Sequence, residues 1–323
     1  MSEERFKWIK EKIEPIIQVS QIFEEDESKI VQAHTWSLLK LLALGNWVFV
    51  YTSIIPKHFQ YYFYTDLLAG AGVIKVKETG DIVIGSPLIA YLFSRNDFSG
   101  MFLVELNRER YKALRRRIQA VKNAMGSFPQ TSCLHGDCNE LIDIITKKIR
   151  SFGKGIHTLA FIDNAGLNTH WKTIEELISI RSDMIILFPT RCTERVWSPK
   201  ALNLFFGNDS WRGAKSSEEL LMIYKENLRK TYRKIRKGDP YVSDIRVGSR
   251  NFYYDLILLC KYGPYTKAWE YIRSKINWQD PETIKIILDI RKRRVLPFDF
   301  LIDLEGEIKR IEQKQATKLE DFL

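Results

Sequence analysis

The segment from residue 61 to residue 72 constrains the fold more than any other part of the chain. An apolar, aromatic run at its start predicts a buried β-strand, which ends at the acid Asp66. The chain then turns through Ala69, Gly70 and Gly72, where glycine lets backbone N–H groups approach a ligand without an intervening Cβ atom. At the carboxyl edge of a parallel sheet such a turn is typical of nucleotide-like cofactor sites. The alternative is a tight strand-to-loop turn that holds no ligand.

A second acid ends another short apolar strand. Residues 101–105 read Met-Phe-Leu-Val-Glu, so the strand ends at Glu105, later than the roughly 20 residues that a dinucleotide fingerprint places between glycine turn and acid. An inserted loop between Val73 and Ile84 accounts for the delay, and Ser86 is predicted to cap the helix that follows. We expect Glu105 to accept hydrogen bonds from a ribose; the alternative is a solvent-exposed carboxylate at a strand end.

Strands and helices alternate through the middle of the chain. Further strands are predicted at residues 131–135, 158–163 and 184–188, with helices at 108–125, 140–152 and 171–180. This alternation implies a right-handed, parallel sheet covered by helices on both faces. Two last strands, at residues 241–247 and 251–261, predict an antiparallel hairpin.

The predicted fold class is therefore α/β, a Rossmann-like and mostly parallel sheet with an antiparallel C-terminal hairpin. N-terminal helices are expected over residues 1–50 and the α/β domain over residues 51–276. A charged helical extension over residues 277–314 and a tail at residues 315–323 complete the predicted organisation.

Five segments match, in order, the pattern of the three-Cys-motif partner (TcmP) proteins: Asp66–Gly72, Gly85–Ala90, Val104–Glu105, Gly136–Asn139 and Phe161–Leu167. The chain resembles this family over roughly residues 30–275. TcmP proteins look like class I methyltransferases that use S-adenosylmethionine, so the resemblance implies that fold and that cofactor. It also implies a partner protein with three cysteines and an iron–sulfur cluster.

The resemblance also assigns roles to residues. Asp66, Ala69, Gly70 and Gly72 would line the methionine end of the cofactor, Glu105 would hold the ribose, and Asp137 would lie beside the adenine. Asp163 and Asn164 would orient the amine or hydroxyl of a methyl acceptor. The chain departs from the family at Asp163-Asn164-Ala165-Gly166, where the family has Asp-Pro-Tyr-Gly, so it lacks the rigidity of the proline and the stacking face of the aromatic ring.

The charge of the chain is uneven. With 50 Lys and Arg against 40 Asp and Glu, the net charge is +10, and clusters of basic residues suit contacts to nucleic-acid phosphates. The alternative is a set of solvated helix faces. The residues expected to contact DNA or RNA are Arg115, Arg116, Arg117, Arg229, Lys230, Arg233, Lys234, Arg236 and Lys237.

The last residues of the chain resemble the tail with which archaeal replication and repair proteins bind the sliding clamp (PCNA). Gln315 opens the tail, and the spacing of Leu319, Phe322 and Leu323 lets their side chains enter one apolar pocket together. Lys318 is one residue more than that pattern has. The alternative is a chance amphipathic turn.

Two classes of function stay open on the sequence alone. One is a methyltransferase acting on or at nucleic acid in DNA repair or replication, and the other is a noncatalytic repair accessory protein that has kept the fold. The four cysteines lack a paired C-x-x-C spacing and the five histidines are scattered, so we expect cytoplasmic thiols and no metal site. No membrane partner is expected, because Lys40 and other residues interrupt the apolar run at residues 38–50.

Overall fold

A computed structural model describes residues 3–23, 26, 29–126, 128–191, 198–248, 252–276 and 281–291. The helices are α1 Glu3–Ser20, α2 Trp36–Ile54, α3 Ser86–Leu92, α4 Arg108–Met125, α5 Cys138–Arg150, α6 Trp171–Ser179, α7 Pro199–Phe206, α8 Ser217–Arg236, α9 Thr266–Lys275 and α10 Pro281–Arg291. The strands are β1 Val31–Ala33, β2 Tyr61–Asp66, β3 Val73–Val76, β4 Ile82–Ile84, β5 Gly100–Glu105, β6 Thr131–His135, β7 Ile156–Ile162, β8 Ser182–Phe188, β9 Pro240–Gly248 and β10 Tyr253–Lys261. The predicted clamp-binding tail lies outside the described residues.

Seven of the described strands form one sheet in the order β6-β5-β2-β7-β8-β10-β9. Strand β10 is antiparallel to both of its neighbours, whereas β2 pairs in parallel with β5 and β7. This order, with a parallel body and a reversed strand inside the final hairpin, confirms the predicted α/β, class I methyltransferase-like fold. The register sets the β2 residue Asp66 between Leu103 of β5 and Phe161 of β7, so their carboxyl ends share one edge.

The central strands are buried because helices cover both faces of the sheet. Every residue of β5 and β8 is buried, as expected for strands that read as continuous apolar runs. One face packs against α1, α2, α4 and α9, and the other against α5, α6 and α8. The N-terminal helices therefore share a hydrophobic core with the sheet.

Helix α4 shows how local signals fix an element. The Asn107 side chain accepts hydrogen bonds from the N–H groups of Glu109 and Arg110, each at 3.1 Å, as an N-cap does. Gly126 ends the helix with φ of 74°, the left-handed conformation that favours glycine. The predicted bounds 108–125 are confirmed.

Helix α2 is the most apolar element. The segment Trp36–Lys57 is long and apolar enough to cross a membrane by length and mean hydropathy, so the expectation that no run reaches that length was too strict. Two thirds of this window is buried inside the protein, with Leu42, Trp47 and Val48 fully covered. This burial is that of a core helix.

The predicted loop between residues 73 and 84 is a hairpin, not a loop. Strands β3 and β4 pair antiparallel, and β1 adds to β3 in parallel. Val73 and Val76, the first and last residues of β3, are both buried. Strand β1, which lies just before α2, pairs with this hairpin. This pairing was not predicted from the sequence.

Candidate functional site

A cavity of about 490 Å³ opens at the carboxyl edge of the sheet, within the size range of small-molecule sites. We call it the carboxyl-edge cavity. It lies where the connections that follow the neighbouring strands β2 and β7 run in opposite directions along the sheet, the place at which α/β sheets bind ligands. Its lining includes Ala69, Gly70, Gly72, Glu105, Asp163 and Asn164, so the structure brings these six predicted residues together.

The glycine turn forms one wall of this cavity. Gly70 and Gly72 have φ angles of 63° and 81°, which residues with a Cβ atom rarely adopt. The Ala69 N–H donates to the Val104 carbonyl at 2.8 Å, and the Gly85 N–H to the Gly72 carbonyl at 2.8 Å. A Cβ atom added at Gly70 would meet nothing within 4 Å, so the turn presents open backbone to the cavity.

The structure contradicts the prediction that Arg117 contacts nucleic acid. Its side chain is 1% exposed and donates to Asp26 Oδ2 at 2.7 Å and to the carbonyls of Ala71 at 2.7 Å and Lys29 at 3.0 Å. A guanidinium so enclosed cannot reach a phosphate on the surface. Arg117 instead fixes the glycine turn from behind, through the Ala71 carbonyl.

The structure also corrects the prediction that Ser86 caps helix α3. Gly85 is the N-cap of α3, and Ser86 is its first helical residue. The Ser86 hydroxyl donates a hydrogen bond to Asp66 and does not cap the helix. Asp66 is fully buried and does not line the cavity. Burial raises the pKa of Asp66 to about 7, against the opposing effect of hydrogen bonds from Ser86, Leu68 and Tyr64. Asp66 therefore braces the turn rather than touching the cavity.

Glu105 and Arg110 face the cavity from the next strand and helix. Glu105 is 6% exposed, and its Oε1 accepts a hydrogen bond of 2.6 Å from the Asn107 N–H. Arg110 Nε is buried and has no hydrogen-bond partner among the described residues. A buried donor without a partner is costly, so this corner favours a ligand that accepts hydrogen bonds.

Lys40 reaches the cavity from helix α2 and pairs with Asp163. Lys40 Nζ lies 2.5 Å from Asp163 Oδ2. Burial alone would lower the pKa of Lys40, but Asp163 and the nearby Tyr254 raise it above its ordinary value. Lys40 is therefore a fixed cation at neutral pH, and sequence reasoning did not single it out as a site residue.

The structure gives Asn164 a different role from the predicted one. The side chain is 1% exposed; its Nδ2 donates to the Leu187 carbonyl at 3.2 Å, and its Oδ1 accepts from the Thr169 hydroxyl at 2.8 Å and N–H at 3.2 Å. These bonds engage both ends of the amide. Asn164 thus positions the loop after β7 rather than orienting an acceptor.

Aromatic residues form the rim of the cavity. The rings of His34 and Trp36 stack with centroids 4.1 Å apart, and the Phe252 ring is 6.3 Å from Trp36. Glu78 holds this arrangement by accepting hydrogen bonds from His34 Nδ1 at 2.7 Å and from the Thr35 N–H at 3.0 Å. The sequence offered no signal for this rim, because it depends on the pairing of β1 with β3.

Asp137 lies apart from the cavity. It is the N-cap of α5, where Oδ1 accepts from the Asn139 N–H at 2.8 Å and side-chain amide at 2.9 Å, and it is not among the lining residues. Its contact with an adenine stays a prediction.

The predicted basic residues of α8 lie at the opposite edge of the sheet. Arg229 Nη2 donates to the Val242 carbonyl at 3.3 Å, and Arg236 Nη1 donates to the Ser179 carbonyl at 3.4 Å. Both carbonyls lie near the end of the sheet away from the carboxyl-edge cavity. The exposed members of the two clusters are Arg115, Arg116, Lys230, Arg233, Lys234 and Lys237.

Comparison with known proteins gives structural likeness only. No family model matches the chain, and no curated protein matches it significantly. A protein assigned as an O-methyltransferase from Klebsiella pneumoniae is similar over 77% of this chain and 90% of its own, with 9% identity and a TM-score of 0.40. An O-methyltransferase from Bacillus cereus, solved with S-adenosylhomocysteine, is similar over 77% of this chain and 100% of its own, with 10% identity and a TM-score of 0.38. An arsenic(III) S-adenosylmethionine methyltransferase from Chlamydomonas reinhardtii is similar over 64% of this chain and 65% of its own, with 11% identity and a TM-score of 0.35.

Proposed function

We propose that the chain binds S-adenosylmethionine in the carboxyl-edge cavity and transfers its methyl group to an acceptor near Asp163. The observation that carries this proposal is the convergence of Gly70, Glu105 and Asp163 on one cavity at the switch point of a methyltransferase-like sheet.

The residues of the cavity fit the cofactor in polarity and shape. The glycine turn offers backbone without side chains at Gly70, and Glu105 offers a carboxylate oxygen for ribose hydroxyls. The buried Nε of Arg110 is a donor for a ligand oxygen. S-adenosylmethionine supplies a methyl group on a sulfonium, and its transfer depends mainly on alignment with the acceptor.

The acceptor end of the cavity is defined by the Lys40–Asp163 pair. Lys40 keeps Asp163 in one orientation through a contact of 2.5 Å, and the Asp163 carboxylate then accepts a hydrogen bond from the hydroxyl or amine of the acceptor. The stacked rings of His34 and Trp36 offer a planar platform at the mouth. These features favour a planar acceptor, such as a nucleobase or a phenol.

Calorimetry with S-adenosylmethionine and S-adenosylhomocysteine tests the proposal. Gly70→Asn places a side chain at the cavity wall, and asparagine tolerates the left-handed conformation, so the fold should survive while affinity falls at least tenfold. Gly80→Asn is the matched control, because Gly80 has φ of 72° and open surroundings but lies outside the cavity lining. Gly72 is unsuitable, since an added Cβ atom would lie 3.1 Å from Leu114 Cδ1.

The two variants separate the possible outcomes. Binding by wild type and by Gly80→Asn, with loss in Gly70→Asn, supports the cofactor site. Absence of binding to either ligand by the wild-type protein would rule it out.

A noncatalytic role at nucleic acid is the second candidate, and one observation favours it. The exposed residues Lys230, Arg233 and Lys234 lie on the part of α8 remote from the carboxyl-edge cavity. DNA or RNA held there would not present its bases to the cofactor. A protein that binds nucleic acid but neither cofactor ligand would fit this candidate.

We propose two protein partners, which are compatible with either candidate function. The tail residues Gln315, Leu319, Phe322 and Leu323 would dock on a sliding clamp and bring the protein to sites of DNA repair or replication. A three-cysteine iron–sulfur protein is the partner that the family resemblance implies. Co-purification with each partner tests these two proposals independently of the cofactor.

A further inference from the structure

A second cavity, of about 330 Å³, opens at the amino edge of the sheet. We call it the amino-edge cavity. Strand β8 connects the two cavities: Leu187 lines the first and Asp183 the second. With a rise of about 3.3 Å per residue they lie more than about 10 Å apart, so the second cavity is separate from the proposed cofactor site.

Four cationic side chains line this cavity, namely Arg181, Arg236, Lys237 and Lys261. Within the described part of the chain, no carboxylate forms an ion pair with any of them. These positive charges affect the side chains of the cavity. The pKa of His157 is lowered to about 3, mainly by burial and further by the charges of Arg181 and Arg236. A cavity with this potential attracts anions.

Two of these four cationic residues have a strained backbone conformation. Among the described residues, Arg181 and Lys237 are the non-glycine residues with positive φ, at 59° and 52°. Lys237 is the C-cap of α8, a position where glycine is the usual residue. Left-handed backbone is unfavourable for a residue with a Cβ atom, yet both positions carry a cation that lines the same cavity. Strain of this kind concentrates at functional sites.

A buried acid at the floor of the cavity has an unused oxygen. Asp183 is 1% exposed, and its Oδ2 has no hydrogen-bond partner among the described residues. Its other oxygen lies 3.5 Å from the Tyr265 hydroxyl and 3.9 Å from His157 Nε2. Burial raises the pKa of Asp183 to about 8, so the carboxyl group keeps its proton at neutral pH and can donate a hydrogen bond to an oxyanion.

We propose that the amino-edge cavity binds a phosphate monoester through Arg181, Arg236 and Lys237, with Asp183 at its floor. Guanidinium and ammonium groups together match the oxygens of a phosphate. The cavity has a buried floor, which a terminal phosphate can reach and an internal phosphodiester, flanked on both sides, cannot. The phosphate could be carried by a small molecule or by the end of a nucleic-acid strand, and both share this chemistry.

Calorimetry of the whole protein distinguishes these sources. The probes are inorganic phosphate, ribose 5-phosphate against ribose, and a single-stranded oligonucleotide with a 5′-phosphate against the same strand with a 5′-hydroxyl. Preference for ribose 5-phosphate over ribose, with no preference between the two strands, identifies a small-molecule phosphate, whereas preference for the phosphorylated strand identifies a strand end. Either preference supports the proposal, whereas binding of none of the phosphate probes overturns it.

Two substitutions tie binding to the strained cations. Arg181→Gly and Lys237→Gly each remove a cation and relieve the left-handed backbone, so each should keep or raise the midpoint of thermal unfolding. Each should weaken phosphate binding by about tenfold, the value of one charge-assisted hydrogen bond. The control is Lys147→Gln, which removes an exposed charge of helix α5 outside the cavity. Unchanged phosphate affinity in both glycine variants would overturn the proposal.

Discussion

Lys40 Nζ lies 2.5 Å from Asp163 Oδ2, although the two residues are 123 positions apart in the sequence. Their side chains are only 13% and 27% exposed. The pair joins helix α2 to the loop after β7 at the end of the carboxyl-edge cavity where we propose that the methyl acceptor binds. It therefore links the N-terminal helices to the proposed chemistry.

This pair predicts a measurable coupling. In a double-mutant cycle with Lys40→Met and Asp163→Asn, we expect a coupling free energy of about 1–3 kcal/mol in urea unfolding, because the pair is largely shielded from water. Lys112 and Glu109, exposed at 49% and 63% and 2.9 Å apart, serve as the control pair and should couple by about 0.5 kcal/mol or less. Equal coupling in both cycles would contradict the structural importance of Lys40.

Asp66 predicts a pH dependence of stability. Burial raises its pKa from 3.8 to about 7, so between those values the folded protein binds more protons at Asp66 than the unfolded chain does. The free energy of unfolding of wild type should therefore fall from pH 4 to pH 7, relative to Asp66→Asn, by an amount on the order of a few kcal/mol. Denaturant unfolding of both proteins at pH 4.5 and pH 8 measures this. Asp183 is present in both proteins and cancels, and a constant difference would show that Asp66 does not titrate as described.

Arg117 and Arg116 are adjacent but predict opposite results. Arg117→Met keeps the apolar stem and removes the buried hydrogen bonds from the guanidinium to Asp26 and to the Ala71 carbonyl, so we expect a loss of about 3 kcal/mol of stability. Arg116→Met removes an exposed charge and should change stability by about 0.5 kcal/mol or less. The comparison is made by urea unfolding at neutral pH. Similar losses of stability in the two variants would indicate that Arg117 is a surface residue like Arg116, contrary to the structure.

The basic end of α8 predicts the salt dependence of nucleic-acid binding. If Lys230 and Lys234 contact phosphates, replacing both with Gln should reduce the slope of log affinity against log salt by about 2. Replacing the exposed Lys147 and Lys148 of α5 with Gln removes the same charge from another surface and should leave the slope unchanged. Fluorescence anisotropy with a duplex and a single strand at several salt concentrations gives both slopes. Equal effects of the two double variants would indicate only a general influence of net charge.

The tail gives a prediction that lies outside the described residues. Deleting residues 318–323 should abolish binding to an archaeal sliding clamp, because it removes Leu319, Phe322 and Leu323, the side chains proposed to enter the apolar pocket. Phe322→Ala should weaken the same binding, whereas Lys318→Ala should not, since Lys318 lies outside the apolar spacing. Equal recovery of wild type and Phe322→Ala in a clamp pull-down would refute the docking role.

Local patterns predicted the framework of this protein. The apolar strand ending at Asp66, the glycines of the next turn and the helix capped by Asn107 all follow from the preferences of neighbouring residues. The alternation of such elements then fixed the fold class, because parallel strands need helical connections. The hairpin of β3 and β4 was missed, since its strands are short and its partner β1 lies about 40 positions earlier.

The chemical role of each side chain depended on burial, which only the tertiary structure decides. Arg115, Arg116 and Arg117 are consecutive and chemically identical, yet helix α4 turns the last of them into the interior. The pairing of Lys40 with Asp163 and the meeting of Arg181 with Lys237 join residues that are far apart in the chain. The sequence by itself determined the strands of the large sheet, most of the helices around it and the glycine turn, because these are set by neighbouring residues. The acceptor end and the amino-edge cavity were decided by the packing of distant elements, which local periodicity does not encode.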